Sequence, residues 1–181
     1  VTSVSEVRRV REILKRVARR LKRRGVPIAD PLPPLGVMIE VPGAALSADA
    51  LAQVSDFLAV GSNDLTMYTL AIDRSDEQVA HLYDPLHPAV LRLIQFTANA
   101  GLRARIPVTI CGEMAGDPRY TALLLGLGFQ ELSMAAMSIP RVKQRLRGID
   151  LGAARRRAEI VMEQMDSGRI ATLIDDFNAL A

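Results

Sequence analysis

Short apolar runs and longer amphipathic segments take turns along this chain. PLGVMIEVP, DFLAVGSND, PVTICGE and ELSMAAMSI each hold an apolar run of strand length that ends in polar or turn-forming residues. Between them, SADALAQV predicts a short helical connector, and PAVLRLIQFTANAG a clearer helix with Pro88 near its start and Gly101 at its end. PRYTALLLGLG predicts another. After the last strand, Ser138 is placed to cap a helix with Pro140 in its first turn, and two further helical segments follow. At the front, Ser3 and Glu6 have the spacing of a capping box. Val7, Val10, Leu14, Val17 and Leu21 then recur at helical intervals until Gly25 and Pro27 stop the pattern. Strand followed by helix, four times over, with continuous apolar strands, argues for a parallel sheet covered by helices and therefore for the α/β class.

Composition narrows the setting. With 181 residues, 49% of them hydrophobic, the chain can hold one substantial core or part of a larger one. One cysteine excludes an internal disulfide, so a reducing cytoplasm is the simplest expectation. No secretory leader is visible, and the apolar stretches fall well short of the roughly 20 residues that span a bilayer, so no membrane role is expected. The chain starts at Val1 without a methionine, which points to a piece of a longer polypeptide.

The net charge of +3 conceals a segregation. Residues 1 to 25 contain ten Lys or Arg against two Glu, whereas the remainder has 13 basic and 18 acidic residues. A nucleic-acid-binding helix is one reading of that basic segment, but it lacks interleaved aromatics and any DNA-binding motif. A solvated amphipathic face is favoured, and no nucleic-acid partner is expected.

The polar residues gather at strand ends. Glu40 closes the first strand, Asn63 and Asp64 follow the second, and Cys111 and Glu113 close the third. In a parallel α/β barrel or doubly wound sheet the carboxyl ends share the face that binds ligands. Taken singly, Glu40 or Asp64 serves equally well as a helix cap or surface ion-pair partner, and a lone cysteine is more often an apolar filler than a catalyst. Together the set reads differently. Two carboxylates with Asn63 between them, opposite a thiol and near Arg74, suit Mg²⁺ and an anion, because Mg²⁺ takes hard oxygen ligands and an arginine fork fits phosphate.

These residues carry a family resemblance. GVMIEVPGAAL, FLAVGSNDLTMYTLAIDR, VAHLYDPLHPAVLRLI, VTICGEMAGDP and LSMAAMSIPRVK resemble, in order and spacing, the phosphoenolpyruvate-binding barrel of enzyme I of the bacterial phosphotransferase system. The sugar-transport and nitrogen-related branches both remain open, since VTICGEMAGDP and the following GLGF also look like the latter. The resemblance implies that Glu40 and Asp64 hold Mg²⁺ and that Asn63 and Arg74 contact the phosphate of phosphoenolpyruvate. It further implies that Cys111 is the acid that protonates the pyruvate enolate. Met67 departs from the glutamine common in the family.

The implied architecture is the second half, about four βα units, of a TIM (β/α)8 barrel. Residues 1–26 would be its leading basic helix, 35–148 the phosphoenolpyruvate-binding half barrel, and 149–181 a C-terminal helical extension. Two phosphate-gripping arginines of the family's earlier strands, and the N-terminal region that carries the phosphorylatable histidine and docks the histidine-containing phosphocarrier protein, lie outside this sequence. Four strands leave open edges and an uncovered face, so a homo-oligomer is expected. The chain is accordingly expected to contribute to a phosphotransferase without turning over alone. The competing readings are a truncated oligomerisation or regulatory homologue and a dikinase-like phosphoenolpyruvate enzyme, the latter disfavoured by the absence of a long insertion after AIDR.

Overall fold

The computed structural model describes residues 1–73 and 75–179. Helix α1 (Val4–Arg23) begins with the predicted capping box: the Glu6 N–H donates to Ser3 Oγ at 3.4 Å, and the Ser3 N–H donates to Glu6 Oε2 at 2.9 Å. Strand β1 (Val37–Ile39) leads through α2 (Pro42–Leu46) and α3 (Ala48–Ala52) to β2 (Leu58–Gly61). Then come α4 (Ser62–Leu70), α5 (Pro88–Ala104), β3 (Val108–Cys111), α6 (Glu113–Gly116), α7 (Pro118–Gly126) and β4 (Glu131–Ser133). Helices α8 (Ile139–Arg147), α9 (Leu151–Met162) and α10 (Ser167–Ala179) follow.

The four strands are parallel and lie in the order β1-β2-β3-β4. Sequential order without a reversal is the arrangement of a barrel, whereas a doubly wound sheet reverses its strand order part-way. The fold is therefore α/β, with a sheet and helices that form part of a TIM-barrel-like domain. Strand alternation separates the two faces. Val37, Ile39, Leu58, Val60, Val108 and Ile110 are buried and belong to the main core, which also takes in Leu91 and Ile94 of α5. The opposite face carries the register row Met38, Ala59, Thr109 and Glu131, in which Met38 is 39% exposed and Glu131 is exposed.

Two helix boundaries differ from the sequence reading. Helix α5 does not end at Gly101 but runs to Ala104, and Arg105 takes the left-handed C-cap conformation at φ 57°. Gly101 is instead a packing residue, because a Cβ there would lie 1.9 Å from Val108 Cγ2. Ser138 precedes α8 but makes no side-chain cap, its own backbone being already helical at φ −81°, ψ −26°. His87 does cap α5: its Nδ1 accepts the Ala89 N–H at 3.2 Å.

The leading helix is covered less than its periodicity predicts. Val7 and Ala18 are buried, but Val10, Leu14 and Val17 are exposed. Arg11 ties the helix to the sheet by donating to Asp56 Oδ2 at 3.2 Å and to the Val54 carbonyl at 3.0 Å. At the other end of the chain, α9 and α10 close over α7. Arg119 pairs with Asp175 at 2.7 Å, and Val161, Ile170 and Ile174 join the main core.

Candidate functional site

The register of the sheet assembles the site. Gly61, Cys111 and Ser133 stand opposite one another at the carboxyl ends of β2, β3 and β4, on the face that also carries Ala59 and Thr109. Glu40 follows β1 directly, two residues beyond Met38 on that same face. Its side chain lies across Gly61: a Cβ at position 61 would come within 2.7 Å of Glu40 Cγ. A glycine at the end of β2 is thus what lets this carboxylate reach toward β3.

Beyond Gly61 the chain turns at once into α4, whose first turn supplies Ser62, Asn63 and Asp64. Glu40 and Asp64 are both half-buried, and neither makes a hydrogen bond or ion pair among the described residues. Both are close enough to act on the thiol. Burial first, then the negative charges of Glu40 and Asp64, push the Cys111 thiol above its ordinary value, so it holds its proton at neutral pH. Two carboxylates without a partner among the described residues, both acting on one thiol, suit a divalent cation. No group of three His, Cys, Asp or Glu side chains capable of holding a metal exists among the described residues. Mg²⁺ is often held by one or two carboxylates and completes its shell from water and substrate oxygens, so two carboxylates are a donor set that suits it.

Cys111 is fixed from β2 and α4. Its Sγ donates to the Val60 carbonyl at 3.4 Å, and its own carbonyl accepts the Ser62 hydroxyl at 2.7 Å. Asn63 Oδ1 accepts the Glu113 N–H at 3.0 Å. Gly112, between them, adopts φ 100°, a left-handed conformation that favours glycine, and a Cβ there would meet Ser62 Oγ at 2.5 Å. Asn63 Nδ2 has no partner among the described residues and is free to donate outward.

A cleft of about 610 Å³ opens beside this turn, with Asn63, Cys111, Glu113, Ser133, Ser138 and Arg141 in its wall. Of the residues expected from the sequence, Asn63 and Cys111 line it. Glu40 and Asp64 do not, lying instead where their charges reach the thiol. Arg74 lies outside the described residues. Sequence reasoning missed Ser62, Ser138 and Arg141. Arg141 carried a usable signal, since it opens the helix after the fourth strand and so belongs to the same carboxyl-end face.

Polar side chains and an open cleft at the carboxyl ends of successive parallel strands are the arrangement of an α/β-barrel domain that binds ligands at that end. The chain belongs to the phosphoenolpyruvate-utilising enzymes, whose phosphoenolpyruvate-binding domain matches residues 1–151. It is 40% identical to the phosphoenolpyruvate-protein phosphotransferase of Haemophilus influenzae over 177 residues, 98% of this chain and 31% of that protein. Identity to the enzyme of the same name from Cupriavidus necator is 49% over 142 residues, 78% of this chain and 24% of that protein. The multiphosphoryl transfer protein of Xanthomonas campestris is 47% identical over 163 residues, 90% of this chain and 19% of that protein. The chain thus spans less than a third of the length of these curated relatives. Among the described residues, no helix is long and apolar enough to cross a membrane.

Proposed function

We propose that this chain is the carboxyl-terminal part of a phosphoenolpyruvate-protein phosphotransferase. In this reading it binds Mg²⁺ and phosphoenolpyruvate and protonates the pyruvate enolate left when the phosphoryl group passes to a histidine elsewhere in the assembly. The observation that carries the reading is the sheet register, which sets Glu40 beside Gly61 and Gly61 opposite Cys111 on one face.

Glu40 and Asp64 would hold the metal. Bound there, Mg²⁺ would offset the substrate's negative charge and help keep donor and acceptor in line. Asn63, whose Nδ2 has no partner among the described residues, would donate to the anion, and Arg74 would add a fork for its phosphate. When the P–O bond breaks and the N–P bond to histidine forms, the electron pair stays with the enolate. Cys111 then gives its proton to the methylene carbon, producing pyruvate and a thiolate that solvent reprotonates. The raised thiol pKa serves this step by keeping the acid loaded, and an enolate carbon is basic enough to take the proton from it. Cys111 is an acid and base here, and no covalent adduct is required.

The same reading places the chain in the cytoplasm, with the phosphotransferase system's histidine-containing phosphocarrier protein as downstream partner and a second copy of the chain as neighbour. Its test is reconstitution with the remaining barrel strands and the histidine-bearing domain supplied in trans. Pyruvate formation from phosphoenolpyruvate is expected to fall about a hundredfold or more in Cys111→Ala, the scale of a lost general acid. An alanine variant that releases pyruvate at the parent rate would remove Cys111 from the chemistry.

A further inference from the structure

Ser62 has no role in the proton transfer just described, yet it is the fully buried residue on which the cysteine turn rests. Its exposure is 0%, and its hydroxyl donates to the Cys111 carbonyl at 2.7 Å. Its own carbonyl accepts the Thr66 hydroxyl at 2.8 Å, which anchors the donor within α4. A buried hydroxyl with one short, long-range bond across two elements is a specific constraint, because losing it leaves the Cys111 carbonyl without that donor.

The surrounding contacts show what the constraint controls. Val60 accepts from Cys111 Sγ, Ser62 donates to the Cys111 carbonyl, and Asn63 accepts from the Glu113 N–H. Three positions of the β2–α4 junction therefore grip the turn at its sulfur, its first carbonyl and its third N–H. Ser62 is the member of that set that holds the Cys111 carbonyl, and so the backbone from which the side chain springs, while the Val60 carbonyl holds Sγ itself. Gly112 supplies the clearance, since any Cβ at that position would collide with Ser62 Oγ.

We propose that Ser62 is a positioning residue for Cys111, aiming the thiol at the substrate carbon through its hydrogen bond to the Cys111 carbonyl. This rests on the proton-donor reading above and deepens it. Misdirection of a reacting group by about 1 Å can cost on the order of a hundredfold in rate without weakening ground-state binding. Ser62 therefore acts on the protonation step and leaves phosphoenolpyruvate affinity alone.

The test compares Ser62→Ala, Ser62→Thr and Cys111→Ala in the reconstituted protein, with amide hydrogen exchange across residues 111 to 113 as a second readout. Ser62→Ala is expected to lower kcat for pyruvate release by about tenfold or more with KM for phosphoenolpyruvate unchanged, and to speed exchange at Gly112 and Glu113. Ser62→Thr, which keeps the hydroxyl, is expected to restore most of the rate. A full-rate Ser62→Ala beside an inactive Cys111→Ala would overturn the positioning role and leave the proton-donor reading intact. A full-rate Cys111→Ala would overturn both. A Ser62→Thr variant that folds but is as slow as Ser62→Ala would also overturn the inference, because the hydroxyl would then not be the operative group.

Discussion

At the scale of single residues, Cys111 answers to burial before it answers to charge. Partial removal from water disfavours the thiolate, and Glu40 and Asp64 add to that effect, so the group sits above its ordinary value. Reaction with iodoacetamide needs the thiolate. Cys111 is therefore expected to alkylate more slowly than a free cysteine peptide at pH 7 and to reach its full rate at a higher pH than that peptide, as mass spectrometry of the modified chain reads directly. Alkylation at the peptide's rate across that range would show that the thiol is not held protonated. The residue types Glu40, Asn63, Asp64 and Cys111 were legible in the sequence because each ends or follows an apolar run. Ser62 was not, since a serine beside a turn has many ordinary uses. Its value lies in a bond to a carbonyl 49 positions away, and only the β2–β3 register creates that bond.

At the scale of elements, continuous apolar runs of strand length located all four strands, and a repeat of nearly four residues located the longer helices, because burial on one side of a helix imposes it. It failed where packing overrode local signals. Gly101 looked like a helix stop but lies inside α5, where the close approach of Val108 requires the absence of a side chain. The nine-residue α4 escaped notice because SNDLTMYTL has almost no amphipathic pattern; its Ser62, Leu65 and Thr66 are all buried. Its first turn nevertheless holds Asn63 and Asp64, so the site is built on a helix start and gains the rigidity of one. Helix α1 shows the reverse case. Its stripe was legible, but the structure leaves Val10 45% exposed, with Leu14 and Val17 also open to solvent. That stripe and the outer edges of β1 and β4 are surfaces that favour association. Sedimentation of this chain is expected to give a mass above that of one copy, and a monomer mass across micromolar concentrations would argue against self-association.

At the scale of the molecule, the sequential parallel sheet packs its core on one side and on the other carries a row that mixes exposed Met38 and Glu131 with buried Ala59, as in part of a TIM-barrel-like domain. Both the face on which the site stands and the row Met38, Ala59, Thr109 and Glu131 look away from that core. The family and the fold class were readable from motif order, since four of the five motifs span a strand and the turn that follows it. The relative placement of cleft and carboxylates was not, because it depends on how far the turn after β3 leans toward β4. In the structure the cleft lies on the β3–β4 side of Cys111, while Glu40 reaches in from β1. In the proposed function these two halves act on one substrate. Titration calorimetry of phosphoenolpyruvate into the protein with its remaining barrel strands supplied tests this directly. Binding is expected to require Mg²⁺ and to weaken at least tenfold in both Glu40→Gln and Asp64→Asn, the cost of removing one carboxylate from a metal that has about two. Equal affinity with and without Mg²⁺, undisturbed by either substitution, would contradict a shared site.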